Sequence, residues 1–452
     1  VDFVLNLKRK LAAKKRKLLA VIGLIIVLII VSIYGVTCVH KQLSSGNDFP
    51  LYYHAAKEMI RGNFHYELDT GLHGYVYLPF FAIALSPLTL LPLKTAIIIW
   101  YIINVFLWAS SIYLGARIHN HLFSGKKRPW PLIIALLFTG QFFLFNLDLG
   151  QTNLVILALT LLALDYFFNA QRKFFPGIFI ALASAIKPFA ALLLLPFLLR
   201  GYWRLLLGFI SGLFFCIVLL PGIILGPSQT QALTAGWYAK IIVPQQKGSL
   251  QGSKIIDQSP SAALRRLVVD APAFADKKVN IFSFSNRQFL LANRIIQVFL
   301  LGAILLCWGV GRQRKSQVSL LIDLAVGYCG MVLVFGFNLK AQFVVLFLPW
   351  LLLITLTSYA PPLKYPPFRI TGLMLFLAGL VTFIANPGLI GRAASNWALA
   401  YSAITLGTLL TTGVLVSLQF RWRPEVSVLE KKVVSQISNS KDYKLGRKKQ
   451  SY

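Results

Sequence analysis

Apolar stretches, most of about 18–22 residues and so long enough to cross a bilayer as a helix, recur through most of this chain. They fall near residues 18–39, 94–116, 130–147, 152–169, 174–199, 205–225, 289–310, 317–337, 341–358, 370–385 and 397–418. Within them the apolar residues are continuous and do not alternate, which excludes a membrane β-barrel. With 57% hydrophobic and only 13% charged residues in 452 positions, a soluble fold could not cover its own surface. The pattern predicts an all-α polytopic integral membrane protein. Residues 1–420 read as one membrane unit of about 11–13 helical elements, and residues 421–452 as a basic cytoplasmic tail.

A formal charge of +31 invites a nucleic-acid reading, but the distribution argues against one. Seven basic residues lie between Lys8 and Lys17, and nine between Arg421 and Tyr452. Both clusters flank apolar runs, as cytoplasmic anchors to anionic lipid do. Aromatic residues are not interleaved with them, as a single-strand binder requires. Cys38, Cys216, Cys307 and Cys329 are scattered without CxxC or Cys/His spacing and read as packing residues. Residues 18–39 read as an uncleaved signal anchor with the N-terminus inside.

Basic clusters punctuate the later runs at 126–128, 172–173, Arg200 with Arg204, 312–315, and Lys364 with Arg369. All can sit on the cytoplasmic side on two conditions. Residues 174–199 must form a hairpin that breaks at Lys187-Pro188, and 75–92 must dip into the bilayer and return. Four segments then face outward: a first loop at 40–74, a short turn at 148–153, a long loop at 226–288, and 338–342. Short amphipathic helices are expected on these loops. The long loop carries eight basic and three acidic residues, an excess that suits an anionic ligand.

The first loop holds the most chemistry. Asp48 stands there in SSGNDFPLYYHAAKEM, in a chain with only fourteen acidic residues. Residues 49–61 read as an amphipathic helix with Asn47 or Asp48 near its N-cap. Tyr53, His54 and Glu58 follow on that helix. No cofactor is expected. His54 and Glu58 share a face at i,i+4 and, with Asp48 or His65, offer the ligand types for a divalent metal, at loose spacing.

Lys187 interrupts the apolar run LASAIKPFAALLLLP. A charge at that depth is costly and is functional by default, and a phosphate is its natural partner. Lys340 with Gln342, and Gln151 with Asn153, interrupt other spans. Three such interruptions predict a shared polar cavity facing outward. There is no GxxxxGK[ST] or GxGxxG cradle, so a soluble nucleotide-binding domain is not indicated.

These residues carry a family resemblance. NDFPLYYHAAKEMIRGNFHYE followed by YVYLPFFAIALSPLTLLP resembles the opening of the polyprenol-phosphate-mannose-dependent glycosyltransferases of family 87. LDLGQTNLVILALTLLALDYF, IALASAIKPFAALLLLPFLLRGYWR, DQSPSAALRRL and NLKAQFVVLFLP resemble later blocks of that family in order, over about residues 45–350. The resemblance implies a GT-C fold. It also implies transfer of a hexose, mannose by preference, from a polyprenyl-phosphate carrier to a lipid or glycan acceptor. Transfer would occur with inversion, at the outer face of the plasma (inner) membrane.

Asp48 matches the family's catalytic base. Gln151, Asn153, Lys187, Gln258, Ser259 and Lys340 fall in matching blocks, and Tyr53, His54, Tyr77, Arg265 and Gln342 complete the expected donor-phosphate and substrate contacts. Two departures stand out: Gln342 where relatives often carry histidine, and Leu78 where a second proline is common. The competing reading is a multi-pass transporter or flippase of lipid-linked sugars. Inverted internal repeats would favour it, and none is evident in the sequence.

Overall fold

The computed structural model describes residues 2–45, 47–66, 74–122, 129–243, 254–314, 316–359 and 367–421. The expected clusters at 126–128 and Lys364, Lys315, Glu67, Asp69, His73 and the tail from 422 onward lie outside them. Among the described residues the regular structure is helical, with no strand. Seven helices are long and apolar enough to cross a membrane, or eight if one bent pair counts as a span. Five shorter apolar helical segments accompany them.

The helices alternate between two ends of the molecule. Helix α1 (Asp2–Ser45) reaches the first end, where Lys41 pairs with Asp148 at 2.7 Å and Gln42 donates to the Leu147 carbonyl. The helix runs past the expected limit at Val39, and its apolar stretch is 25–44. Helix α2 (Asp48–Ile60) lies at this end. Helix α3 (Pro79–Leu85) runs into a 3₁₀ turn, Ser86–Leu90. Together these are roughly 20 Å long, against a hydrocarbon core of about 30 Å. By length the segment is too short to cross the bilayer as one span.

Helix α4 (Leu93–Leu122) descends, α5 (Trp130–Leu149) returns and α6 (Asn153–Phe168) descends again. Arg117 and Asp165 join α4 to α6 at the second end, 3.0 Å apart.

The region 174–199 is the expected hairpin. Helix α7 (Phe175–Ile186) starts where the Phe175 and Tyr166 rings lie 6.1 Å apart, at the foot of α6. It ends at Lys187, whose side chain reaches Asn153 at the head of α6. The 3₁₀ segment Pro188–Leu194 and α8 (Leu195–Leu198) then run back, placing Phe197 4.7 Å from Phe167. The cause is local. A residue before proline avoids the helical region, and Lys187 is extended at φ −135°, ψ 113°.

Helix α9 (Trp203–Phe214) packs on α7. Gly177 meets the backbone of Leu205 and Phe209, and Gly208 meets the Phe174 carbonyl, so the two helix axes touch backbone to backbone. Gly208 and Gly212 form a GxxxG pair, the small-residue spacing that permits such approach without help from water exclusion. A π turn, Phe215–Leu219, carries α9 into α10 (Leu220–Leu225).

At the first end, α11 (Pro227–Trp237) and α12 (Pro260–Val268) belong to the long loop. Helix α13 (Asn286–Arg312) descends from a Ser285–Gln288 capping box. Helix α14 (Gln317–Leu333) rises, and a 3₁₀ turn, Lys340–Leu346, leads down into α15 (Phe347–Tyr359). Helix α16 (Pro367–Phe383) rises and bends by 85° into α17 (Pro387–Ala400), and α18 (Ala403–Arg421) descends.

Two expectations are corrected here. The last span begins at Ala403, not 397, because Ser402 adopts φ 62° and breaks the helix there. The residues before it form α17, a fifth segment at the first end that hydropathy alone did not separate from a span.

At the second end, Arg200 and Asp323 form a buried pair at 2.7 Å, their side chains 7% and 0% exposed. Gln419 Nε2 donates to Asp323 and Ser319 at 2.8 Å each, and Arg200 also donates to the Gly311 carbonyl. This network ties α8, α13, α14 and α18 together. The described members of the basic clusters, among them Arg172, Lys173, Arg200, Arg204 and Arg312, all lie toward this end, opposite Asp48.

Candidate active site

A tight turn creates the site. Gly150 closes α5 at φ 70°, where a side chain would meet Phe49 and Gln42. Its carbonyl accepts from Trp100 Nε1 at 2.8 Å, and the Gln151 N–H bonds back to the Asn146 carbonyl. The turn points Gln151 and Asn153 at the neighbouring helices. A left-handed residue at this position is accessible to glycine at no steric cost.

Asp48 opens α2 from its first turn, where a carboxylate is favoured by the helix dipole. Asn47 occupies the N-cap position without a side-chain cap bond and donates instead to the Asp148 carbonyl at 3.1 Å. Asp48 is turned toward α6: Gln151 Nε2 donates to its Oδ2 at 2.5 Å.

From there a continuous chain of amides leads inward. Asn153 Nδ2 lies 3.4 Å from Gln151 Oε1 and donates to Asn146 Oδ1 at 3.0 Å. Lys187 Nζ donates to Asn153 Oδ1 at 2.7 Å. Asn146 Nδ2 donates to the Ala341 carbonyl at 2.8 Å, which attaches the chain to the Lys340–Leu346 turn. Gln151, Asn153, Lys187 and Asn146 are 3%, 1%, 8% and 0% exposed, so the network is almost wholly sealed. Low local polarity strengthens such bonds and makes each unpaired member costly.

An aromatic wall flanks it. The Tyr77 ring lies 5.9 Å from Lys187 Nζ, and its hydroxyl meets Tyr52 Oη at 2.9 Å and Thr152 Oγ1 at 3.4 Å. Burial, with the Asp48 charge nearby, pushes the Tyr77 phenol up; burial and Tyr77 do the same to Tyr52. Both therefore remain neutral hydroxyls.

The other expected residues fall elsewhere. Tyr53 is buried and its hydroxyl donates to the Leu91 carbonyl at 2.8 Å, fixing α2 on the segment between α3 and α4. His54 is exposed, with its ring edge-on to Tyr53 at 5.5 Å. Among the described residues no group of three or more His, Cys, Asp or Glu is placed to hold a metal.

Lys340 donates to the Ala385 carbonyl at 2.9 Å, and Gln342 is buried two residues on. The Arg265 guanidinium lies 5.1 Å from the centre of the Phe289 ring.

Gln258 and Ser259 hold a separate knot. Gln258 Nε2 donates to the Leu399 and Ile255 carbonyls at 2.9 and 2.8 Å, and Ser259 caps α12. Arg266, fully buried, donates to the carbonyls of Ala400, Lys254 and Asp257 and to Ser402 Oγ. Burial pushes the Asp257 carboxyl up, against the N–H groups of Asn338 and Ser259. This knot fastens the long loop to the break between α17 and α18.

Asn146 is the residue that sequence reasoning missed. A lone polar residue seven positions before Asn153 was its only signal.

The arrangement joins a carboxylate and an ammonium through polar bridges at one end of a helical bundle, in a polytopic membrane protein. The description "Glycosyltransferase family 87" matches residues 75–336, more than half of the chain. The chain belongs to this family, which is of GT-C type, and is a membrane glycosyltransferase. The match begins after Asp48 and ends before Lys340, so it is narrower than the resemblance over 45–350. No curated protein and no solved structure matches the chain significantly.

Proposed function

We propose that the enzyme moves a hexose, mannose by preference, from a polyprenyl-phosphate-linked donor to a lipid or glycan acceptor. The transfer takes place at the extracytoplasmic face of the plasma (inner) membrane and inverts the anomeric centre, with Asp48 as general base. One observation carries the reading: the Asp48–Gln151–Asn153–Lys187 chain of hydrogen bonds. The basic clusters favour the cytoplasm at the opposite end, which supports an outward-facing site.

In this mechanism Asp48 takes the proton of the acceptor hydroxyl as its oxygen bonds to the anomeric carbon. The bond from that carbon to the phosphate oxygen breaks on the opposite face, and its electron pair leaves with the polyprenyl phosphate. Lys187 steadies the charge that builds on the leaving group, in surroundings where water screens it little. Gln151 and Asn153 hold the base and the cation at a constant separation. The Tyr77 ring stands beside Lys187 and flanks its ammonium group. Lys340 and Arg265, further along the same end, serve the carrier phosphate on its approach.

The test is incubation of the purified protein in lipid with a polyprenyl-phosphate-linked mannose and candidate acceptors. The expected result is free polyprenyl phosphate and a product of opposite anomeric configuration to the donor. Retained configuration, or undiminished transfer by Asp48→Asn, would overturn the mechanism. Movement of the intact donor across the bilayer without product would instead support the flippase reading.

A further inference from the structure

Helix α13 carries an unclaimed pair of charges. Arg287 and Arg294 sit seven residues apart, two helical turns, and therefore on one face about 10 Å apart along the axis. Both are exposed, and with Leu290 and Leu291 they line a groove of about 300 Å³. Leu291 is 62% exposed. Below the groove the same face continues as Val298, Leu301 and Leu305, all exposed and all apolar. The buried face of the helix, with Phe289, Asn293 and Ile304, is turned instead to the protein.

This is a lengthwise division of one surface: two guanidinium groups at the head of the helix, then an apolar track of three further turns. It has the layout of a phospholipid standing beside it, phosphate level with the arginines and acyl chain along the track. Among the described residues neither arginine has a carboxylate partner, so the charge of the groove is uncompensated. Guanidinium groups bind phosphate oxygens in paired geometry. The main contacts of α13 are to α12, α14 and α18. The groove is thus on a different flank from Asp48 and Lys187, which favours a resident lipid over a substrate on its way to transfer.

We infer that Arg287, Leu290, Leu291 and Arg294 form a binding site for an anionic phospholipid of the surrounding leaflet. The inference does not rest on the proposed reaction.

Native mass spectrometry of the full chain, released from nanodiscs containing equal phosphatidylglycerol and phosphatidylcholine, tests it. A cation near an anionic lipid surface contributes about 1 kcal/mol, so two should give a preference of roughly ten- to thirtyfold for the anionic lipid. The double variant Arg287→Gln/Arg294→Gln should lose most of that preference, while Arg287→Lys/Arg294→Lys should keep part of it. A melting curve checks that both variants remain folded, as expected for exposed positions. Equal retention of the two lipids by the wild type, or an unchanged preference in the glutamine variant, would overturn the site. In a third arm, added polyprenyl phosphate that displaces phosphatidylglycerol at equal concentration would overturn the choice of occupant.

Discussion

Gln151 donates its side-chain amide to Asp48 at 2.5 Å across 103 positions of sequence, tying the first helix of the loop to the turn between α5 and α6. That bond makes the orientation of the Asp48 carboxylate a property of the membrane bundle rather than of the loop that bears it.

Asp48→Asn keeps the size of the side chain and its ability to accept from Gln151, but removes the base. Transfer should fall by about 10²–10⁴-fold, with the melting temperature unchanged within a few degrees. A radiolabelled donor assay and a thermal shift on the same preparation check both halves.

Lys187→Met should lower kcat, because the leaving phosphate loses its cation, and leave Asn153 Oδ1 without its donor at 2.7 Å. An unmade bond at a buried acceptor costs about 1–3 kcal/mol, and removing a buried charge offsets part of it. Lys187→Arg should not restore turnover: the planar fork is larger and its donors point differently. Single-turnover kinetics separate chemistry from donor binding.

Asn146 touches neither base nor cation and acts through Asn153 and the Ala341 carbonyl. Asn146→Leu should therefore reduce kcat by about tenfold, with the donor KM little changed. Asn146→Gln keeps both an acceptor for Asn153 and a donor for the Ala341 carbonyl and should recover part of the loss. A purely structural role would instead lower the amount of folded protein and leave kcat per folded molecule intact.

Arg266→Met should act on stability. It strands the carbonyls of Ala400, Lys254 and Asp257 in a site that excludes water. The expected cost is about 3 kcal/mol or more, read as a lower melting temperature. The loss of turnover per folded molecule should stay far below that of Asp48→Asn.

Gly177→Ala tests the contact between α7 and α9. The added methyl would press on the backbone of Leu205 and Phe209, which cannot rotate away as a side chain could. Forced overpacking costs about 1–3 kcal/mol. Because α7 ends at Lys187, turnover should fall along with the melting temperature.

The hairpin at Lys187-Pro188 was legible because the pre-proline restriction is local and acts wherever the dipeptide stands. The helix opening near Asp48 was legible for a similar reason, from polar residues set before an amphipathic run. The break at Ser402 was not. Apolar residues continue across it, and the carbonyls of Leu399 and Ala400 that a continuous helix would use are taken by Gln258 and Arg266 from the long loop. Gln258 and Ser259 were grouped with the substrate contacts because a family block contains them; that block could not show that their side chains also bond within the knot.

Sequence alone determined that the chain is a bundle of membrane helices, which end carries the basic clusters, and that Asp48 and Lys187 are chemically out of place. Hydropathy and proline act over one or two turns and need no partner to be read. Only the tertiary structure decided that Asp48, Gln151, Asn153, Asn146 and Lys187 belong to one network, and that Arg265 and His54 stand outside it. A buried polar group must find its partner wherever packing brings one, and that distance in sequence leaves no periodicity to read.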